Sequence, residues 1–188
     1  VNILLNLDAS GSMKYQDLDK DDRSKNRFDV VKEIVKDFIS KRKTDNIGLV
    51  IFGDSVMMAS PLSFDKNAQK EIIDYLEIGM AGTKTALLDS IARSVNILND
   101  KEASSNVIIV LSDGEHYEGS LWESAMFASH HKLDNLIFIV DRNKQIILGK
   151  DDDLLSLEPL DEKWRSFGWN CHVVNGHSYD ELLSALNT

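Results

Sequence analysis

Asp8, Ser10 and Ser12 form a D-x-S-x-S loop directly after the run Val1-Asn2-Ile3-Leu4-Leu5-Asn6-Leu7. Three short oxygen-bearing side chains at alternate positions of one turn can converge on a hard cation, and Mg²⁺ demands near-octahedral oxygen coordination at about 2.0–2.1 Å. Gly11 lets the turn close. Two further oxygen donors stand downstream: Thr83 in Gly82-Thr83-Lys84-Thr85, and Asp113 in Leu111-Ser112-Asp113-Gly114 after another apolar run. A doubly wound α/β sheet would bring all five together at the carboxyl ends of its strands, where ligand sites of such sheets lie. Taken singly, each has a plain structural reading. Ser10 or Ser12 can cap a turn or helix, Thr83 or Thr85 can cap the helix starting near residue 86, and Asp113 can stabilise a strand-to-helix turn. Their joint occurrence in this order after such elements carries the metal reading.

Positioning these groups requires strands that alternate with helices. Short β-branched apolar runs near 2–7, 47–52, 56–59, 107–111, 136–140 and 171–174 predict six strands. Amphipathic stretches near 27–41, 67–76, 86–98, 121–131, 161–167 and 179–186 predict helices. The expected fold is an α/β, Rossmann-like three-layer sandwich on a mainly parallel six-stranded sheet. The third strand follows the second too closely for a helical crossover, so it is expected as an antiparallel edge. In the first helix Phe28, Val31, Ile34, Val35, Phe38 and Ile39 form the inward stripe. In the fourth the expected stripe is Trp122, Ala125, Met126 and Ser129, with Glu123 outside.

A chain of 188 residues with 43% apolar content suits one domain with a sizeable core. A net charge of -10 disfavours attraction to phosphate backbones and anionic lipid, so no nucleic acid and no membrane partner is expected. No apolar run approaches the ~20 residues of a membrane span, and no basic leader precedes an apolar core. The expectation is a soluble, recombinantly produced chain that begins as a trimmed domain would, with no assignable compartment. The lone Cys171 reads as a small buried side chain between Trp169 and Val173. The acidic loop 17–22 fails as a calcium loop, since Asp22 and Phe28 stand where an EF-hand needs Gly and a bidentate Glu. The pair His130-His131 has nothing at metal-ligand spacing and receives no role.

With Asp8, Ser10, Ser12, Thr83 and Asp113 in this order, the first 115 residues or so resemble von Willebrand factor A domains and their metal-ion-dependent adhesion site. The resemblance implies Mg²⁺ or Mn²⁺ bound directly by Ser10 and Ser12, with Asp8 acting largely through water. Thr83 and Asp113 would complete the ring, exchanging direct and water-mediated roles. It also implies one open coordination position for an acidic side chain of a protein partner.

From about residue 113 a second pattern begins. Asp113-Gly114-Glu115-His116-Tyr117-Glu118-Gly119-Ser120-Leu121-Trp122-Glu123, Val140-Asp141-Arg142-Asn143, Ser156-Leu157-Glu158-Pro159-Leu160 and Lys163-Trp164-Arg165-Ser166-Phe167-Gly168-Trp169 resemble the thiamine-diphosphate-binding domain of transketolases. There the resemblance implies Mg²⁺ ligands at Asp113, at Asn143 thirty residues later, and at the backbone carbonyl of Gln145. Ser112 departs from the Gly usual before the Asp-Gly pair in that family. The upstream strands, the histidine-bearing loops and the pyrimidine-binding domain of a transketolase are expected to have no counterpart in these residues.

Asp113-Gly114-Glu115 belongs to both patterns, which makes it a natural crossover point. A join that preserves strand, turn and helix suggests deliberate construction. The chain is therefore read as an engineered or recombined chimera, one hybrid domain over 1–188 built from segments 1–115 and 116–188. The leading expectation is a non-enzymatic module retaining the Mg²⁺ site at Asp8, Ser10, Ser12, Thr83 and Asp113, with no catalytic residues and no tight binding of thiamine diphosphate. One alternative is a transketolase-like fragment using Asp113, Asn143 and Gln145. Another is a folding test protein without retained function.

Overall fold

The computed structural model describes residues 1–16, 24–99, 105–112, 119–140, 145–146, 149–150, 156–175 and 178–186. They fall into two compact units, one of Val1–Ser112 with Asp134–Ile139 and one of Asp113–Leu133 with Val140–Thr188.

The first unit is built on strands β1 (Asn2–Asp8), β2 (Asn46–Phe52), β3 (Val56–Ser63), β4 (Asn106–Ser112) and β5 (Leu136–Val140), in the order β3-β2-β1-β4-β5. β1 runs parallel to β2 and to β4, whereas β3 is antiparallel to β2, as its short connection requires. Every residue of β1 is buried, as a central strand covered on both faces must be. Ile3, Leu5 and Leu7 enter the main core with Phe28, Val35, Ile39, Leu49, Ile51 and Ile73. β3 runs on through Pro61 to Ser63, beyond the expected residue 59. An edge strand tolerates the missing N–H, and the Pro61 carbonyl accepts a hydrogen bond from Gln69 Nε2 at 3.1 Å.

Two asparagines interrupt the apolar run of β1, and each is bonded across the unit. At the start of the sheet Asn46 Nδ2 donates to Asn2 Oδ1 (3.1 Å) and Asn2 Nδ2 donates to Asn106 Oδ1 (3.0 Å). These three residues are register partners across β2, β1 and β4. Deeper in, fully buried Asn6 accepts from the hydroxyls of Ser90 (2.6 Å) and Ser94 (2.8 Å).

Helix α1 (Arg27–Lys41) starts at a reciprocal capping box, with Asp29 N–H donating to Asn26 Oδ1 (2.9 Å) and Asn26 N–H to Asp29 Oδ2 (3.2 Å). Its inward stripe holds except at Ile34, which is exposed. Helices α2 (Lys66–Tyr75) and α3 (Leu87–Asn99) complete this unit. No helix of the described residues is long and apolar enough to cross a membrane.

The second unit contains α4 (Gly119–His130), the short antiparallel pair β6 (Gln145–Ile146) and β7 (Gly149–Lys150), α5 (Leu160–Ser166) and α6 (Tyr179–Leu186). Buried Trp164 meets Trp169 edge to face at 5.1 Å and Trp122 at 5.9 Å between ring centroids. The indole N–H of Trp169 donates to the Ala125 carbonyl at 3.1 Å.

Two expectations are corrected here. Among the described residues the sheet has five strands, and residues 171–174 form none. Their surroundings engage the backbone through side chains: Arg165 Nη2 donates to the Cys171 carbonyl (3.0 Å), the neighbouring Asn175 N–H donates to Glu181 Oε2 (2.8 Å), and Val173 is exposed. The phase of α4 also differs. Leu121, Ser124, Ala125 and Ala128 are buried, while Met126 and Ser129 are exposed. Ser124 can be buried because its hydroxyl donates to the Ser120 carbonyl one turn back, at 2.6 Å.

Candidate functional site

The register of the parallel strands places the D-x-S-x-S loop. Asp8 ends β1 opposite Phe52, the last residue of β2, and the Ala9 N–H donates to the Phe52 carbonyl at 2.9 Å. The chain then turns into a short 3₁₀ helix (Gly11–Lys14) that carries Ser12 and buries Met13. Asp8 and Ser10 are both buried. Asp8 Oδ1 accepts the Ser10 N–H at 2.7 Å, and the hydroxyls of Ser10 and Ser12 lie 3.0 Å apart.

Thr83 comes to this loop through its backbone. Its carbonyl accepts the Gly11 N–H at 3.0 Å, and a Cβ at Gly11 would approach that carbonyl to 3.3 Å and the Thr83 Cβ to 3.8 Å. Gly11 thus serves close approach as well as the turn. On its other side Thr83 is held by Asp54, a residue that the spacing of motifs did not reveal. Asp54 Oδ2 accepts the Thr83 N–H at 2.8 Å and Oδ1 accepts the Lys84 N–H at 3.3 Å. The only available signal was an acidic residue two positions beyond a parallel strand, at the same edge as Asp8.

The structure therefore brings together Asp8, Ser10, Ser12 and Thr83, four of the five expected ligands. Asp113 lies outside the described residues, as do Asn143 and the acidic loop 17–22; Gln145 is described in β6 by its backbone. Among the described residues no group of three or more His, Cys, Asp or Glu gathers, so this loop offers one carboxylate and a set of hydroxyls. The residues fit a cation in one specific respect: Asp8 Oδ2 is buried and, among the described residues, has no hydrogen-bond partner. A buried carboxylate oxygen without a donor costs roughly 1–3 kcal/mol or more, a cost that a bound cation removes.

Cys171 is half-buried, and burial pushes its thiol up, against an opposing pull from the Arg165 guanidinium. That shift disfavours a reactive thiolate at neutral pH.

Two family models match the chain: the von Willebrand factor type A domain over residues 3–116, and the transketolase thiamine diphosphate binding domain over residues 76–188. They overlap over 76–116, so the second likeness reaches well upstream of Asp113, where its motifs first become legible. The 6-deoxy-6-sulfo-D-fructose transketolase subunit SqwG of Clostridium sp. (strain MSTE9) is 44% identical over 82 residues, 44% of this chain and 30% of that protein. An apulose-4-phosphate transketolase subunit from Phocaeicola vulgatus is 30% identical over 148 residues, 79% of this chain and 48% of that protein. The chain spans less than half the length of either relative.

Among solved structures, an aerotolerance-related membrane protein from Bacteroides fragilis is similar with a TM-score of 0.68 at 18% identity, covering 100% of this chain and 96% of that one. The BatB protein of Bacteroides thetaiotaomicron gives 0.62 at 23% identity over 74% of this chain and 65% of that one. These likenesses carry the fold. The expectation of a non-enzymatic chain is overturned by the curated relatives, which are transketolase subunits. The idea of deliberate construction draws no support from them.

Proposed function

We propose, for a chain that belongs to the von Willebrand factor type A family over residues 3–116 and to the transketolase thiamine-diphosphate-binding family over residues 76–188, a role within a transketolase-type enzyme subunit. The identity of 44% over 82 residues with a transketolase subunit carries this reading. Asp113, Asn143 and the Gln145 carbonyl would hold the Mg²⁺ that anchors the cofactor diphosphate. Two oxygen-bearing side chains and a backbone carbonyl suit that ion, which keeps part of its shell for water and phosphate oxygens. When bound, thiamine diphosphate supplies the carbanion stabilisation on which ketol transfer depends. The residues of this chain would bind and orient it.

Calorimetric titration of the full chain with thiamine diphosphate tests the proposal. Saturable heat that requires Mg²⁺ and is lost in Asn143→Ala is expected. Absence of Mg²⁺-dependent heat in the parent chain would sink it.

The unpartnered Asp8 oxygen favours a second, separate reading, a divalent cation at the D-x-S-x-S loop. Asp8, Ser10, Ser12, Thr83 and Asp113 would hold the ion, whose open position could accept a carboxylate from a protein partner. Mg²⁺ or Mn²⁺ should raise the melting temperature by binding only the folded state. Asp8→Asn should remove that rise and Asn143→Ala should keep it, which separates the two sites.

A further inference from the structure

We infer that Asp54 is a positioning residue for the cation reading of the D-x-S-x-S loop, setting cation affinity without touching the ion. The inference rests on that reading and concerns how Thr83 is brought to the loop.

The peptide units flanking Thr83 are held from both sides. Asp54 accepts its N–H and that of Lys84, while the Thr83 carbonyl accepts the Gly11 N–H between the two serines. One carboxylate is thereby connected, through a single residue, to the middle of the D-x-S-x-S turn. The surroundings of Asp54 are shaped for this contact. Gly82 has φ +98°, and a Cβ there would lie 2.2 Å from Asp54 Oδ2 and 2.5 Å from Asp54 Cβ. A Cβ on Gly53 would lie 2.5 Å from the Gly82 carbonyl oxygen and 2.7 Å from that of Ala81. Only glycine at both positions lets the two loops close on each other.

The rest of the bracket is backbone apart from the Ser55 hydroxyl, which donates to the Ala81 carbonyl at 3.2 Å. Ser55 N–H donates to the Ala81 carbonyl (2.8 Å) and Ala86 N–H to the Gly53 carbonyl (2.7 Å). These bonds fix the loop ends and leave the Thr83–Lys84 peptide to Asp54. Asp54 is exposed, so its carboxylate stays solvated and is not needed to fill the core. A carboxylate bonded to the N–H groups of Thr83 and Lys84 restrains the Thr83 backbone beside the turn that carries Ser10 and Ser12. Partners that orient a ligand in this way typically change metal affinity by about 10–100-fold.

The test is Mn²⁺ binding to the full chain, followed by the loss of the free-ion electron paramagnetic resonance signal. Asp54→Ala should weaken affinity by about 10–100-fold. Asp54→Asn keeps the shape and one acceptor but loses the charge, and should fall between the two. Asp54→Asn should melt somewhat lower than the parent, since it keeps only one of the two acceptors, but its metal-free circular dichroism should match the parent well below that melting temperature, where Mn²⁺ affinity is compared; a merely structural role would leave the affinity of the folded protein unchanged. Mn²⁺ binding that Asp8→Asn abolishes and both Asp54 variants retain undiminished would overturn the role of Asp54 while leaving the cation site intact. Failure of the parent chain to bind Mn²⁺ would overturn the site and this role together.

Discussion

Gly79 and Gly82 both adopt left-handed backbone, at φ +87° and +98°, yet a Cβ meets nothing within 4 Å at Gly79 and meets Asp54 at 2.2 Å at Gly82. Replacing each by alanine therefore separates conformational strain from collision. Gly79→Ala incurs the left-handed penalty alone, about 1–2 kcal/mol. It gains about 0.4–1 kcal/mol from the stiffer unfolded chain. Gly82→Ala carries the same two effects and must also expel the Asp54 carboxylate. A hydrogen bond to a charged group is worth about 1.5–3 kcal/mol, and the exposure of Asp54 points to the lower end. Gly82→Ala should thus be about 1.5–2 kcal/mol less stable than Gly79→Ala. Urea unfolding of both variants, with slopes checked for equality, reads this difference from the midpoints. Equal midpoints would mean that Asp54 moves away at no cost, and the argument for a shaped contact would fail.

Asn2→Ala should cost about 2–3 kcal/mol in urea unfolding, since it removes two side-chain hydrogen bonds and leaves partners on both neighbouring strands unsatisfied. The Asp161 carboxyl is held below its ordinary value, first by its hydrogen bond to Arg165, against a smaller opposing effect of desolvation. A lowered folded value means stabilisation present above the unfolded carboxylate range and lost as pH falls through the folded value. A ¹³C NMR titration should therefore show the Asp161 midpoint rising in Arg165→Met; an unchanged midpoint would remove the pair as its cause. We further propose that residues 1–188 unfold as one hybrid domain, because β5 of the first unit is reached only through α4 of the second. All three tryptophans, Trp122, Trp164 and Trp169, lie in the second unit. Fluorescence and circular dichroism should therefore give one coincident transition.

The helix over 27–41 is legible because its apolar residues recur at helical spacing. Ile34 misleads, since at about 100° per residue it stands some 120° around the helix from Phe28. The apolar run Cys171-His172-Val173-Val174 reads as a strand by composition, but a strand exists only through a partner, and here the Cys171 carbonyl is taken by the Arg165 side chain and the next backbone N–H, that of Asn175, by Glu181. In α4 the serines defeat a purely apolar stripe, because a serine bonded to its own helix can be buried. The D-x-S-x-S loop is legible because its chemistry lies in one short segment. Asp54 is not, because its role arises from a register pairing of β1 with β2 and from two glycines far apart in the chain.

The asparagine relay across β2, β1 and β4 bears on how such a chain could be assembled from parts. Its donors all point one way, from Asn46 to Asn2 to Asn106, and Asn106 in turn donates to the Leu98 carbonyl at 3.5 Å. Sliding any one strand by a residue would set an amide against an aliphatic side chain. Asn106 lies inside the overlap 76–116 of the two family models. If such a chain arose by recombination, a crossover downstream of it would transfer the whole relay from one ancestor as a matched set. A crossover upstream would require the second ancestor to present an amide at that one level of its own strand. The register of β2, β1 and β4 is thus fixed by amides at the end of the strands remote from the D-x-S-x-S loop, apart from the chemistry at the other end.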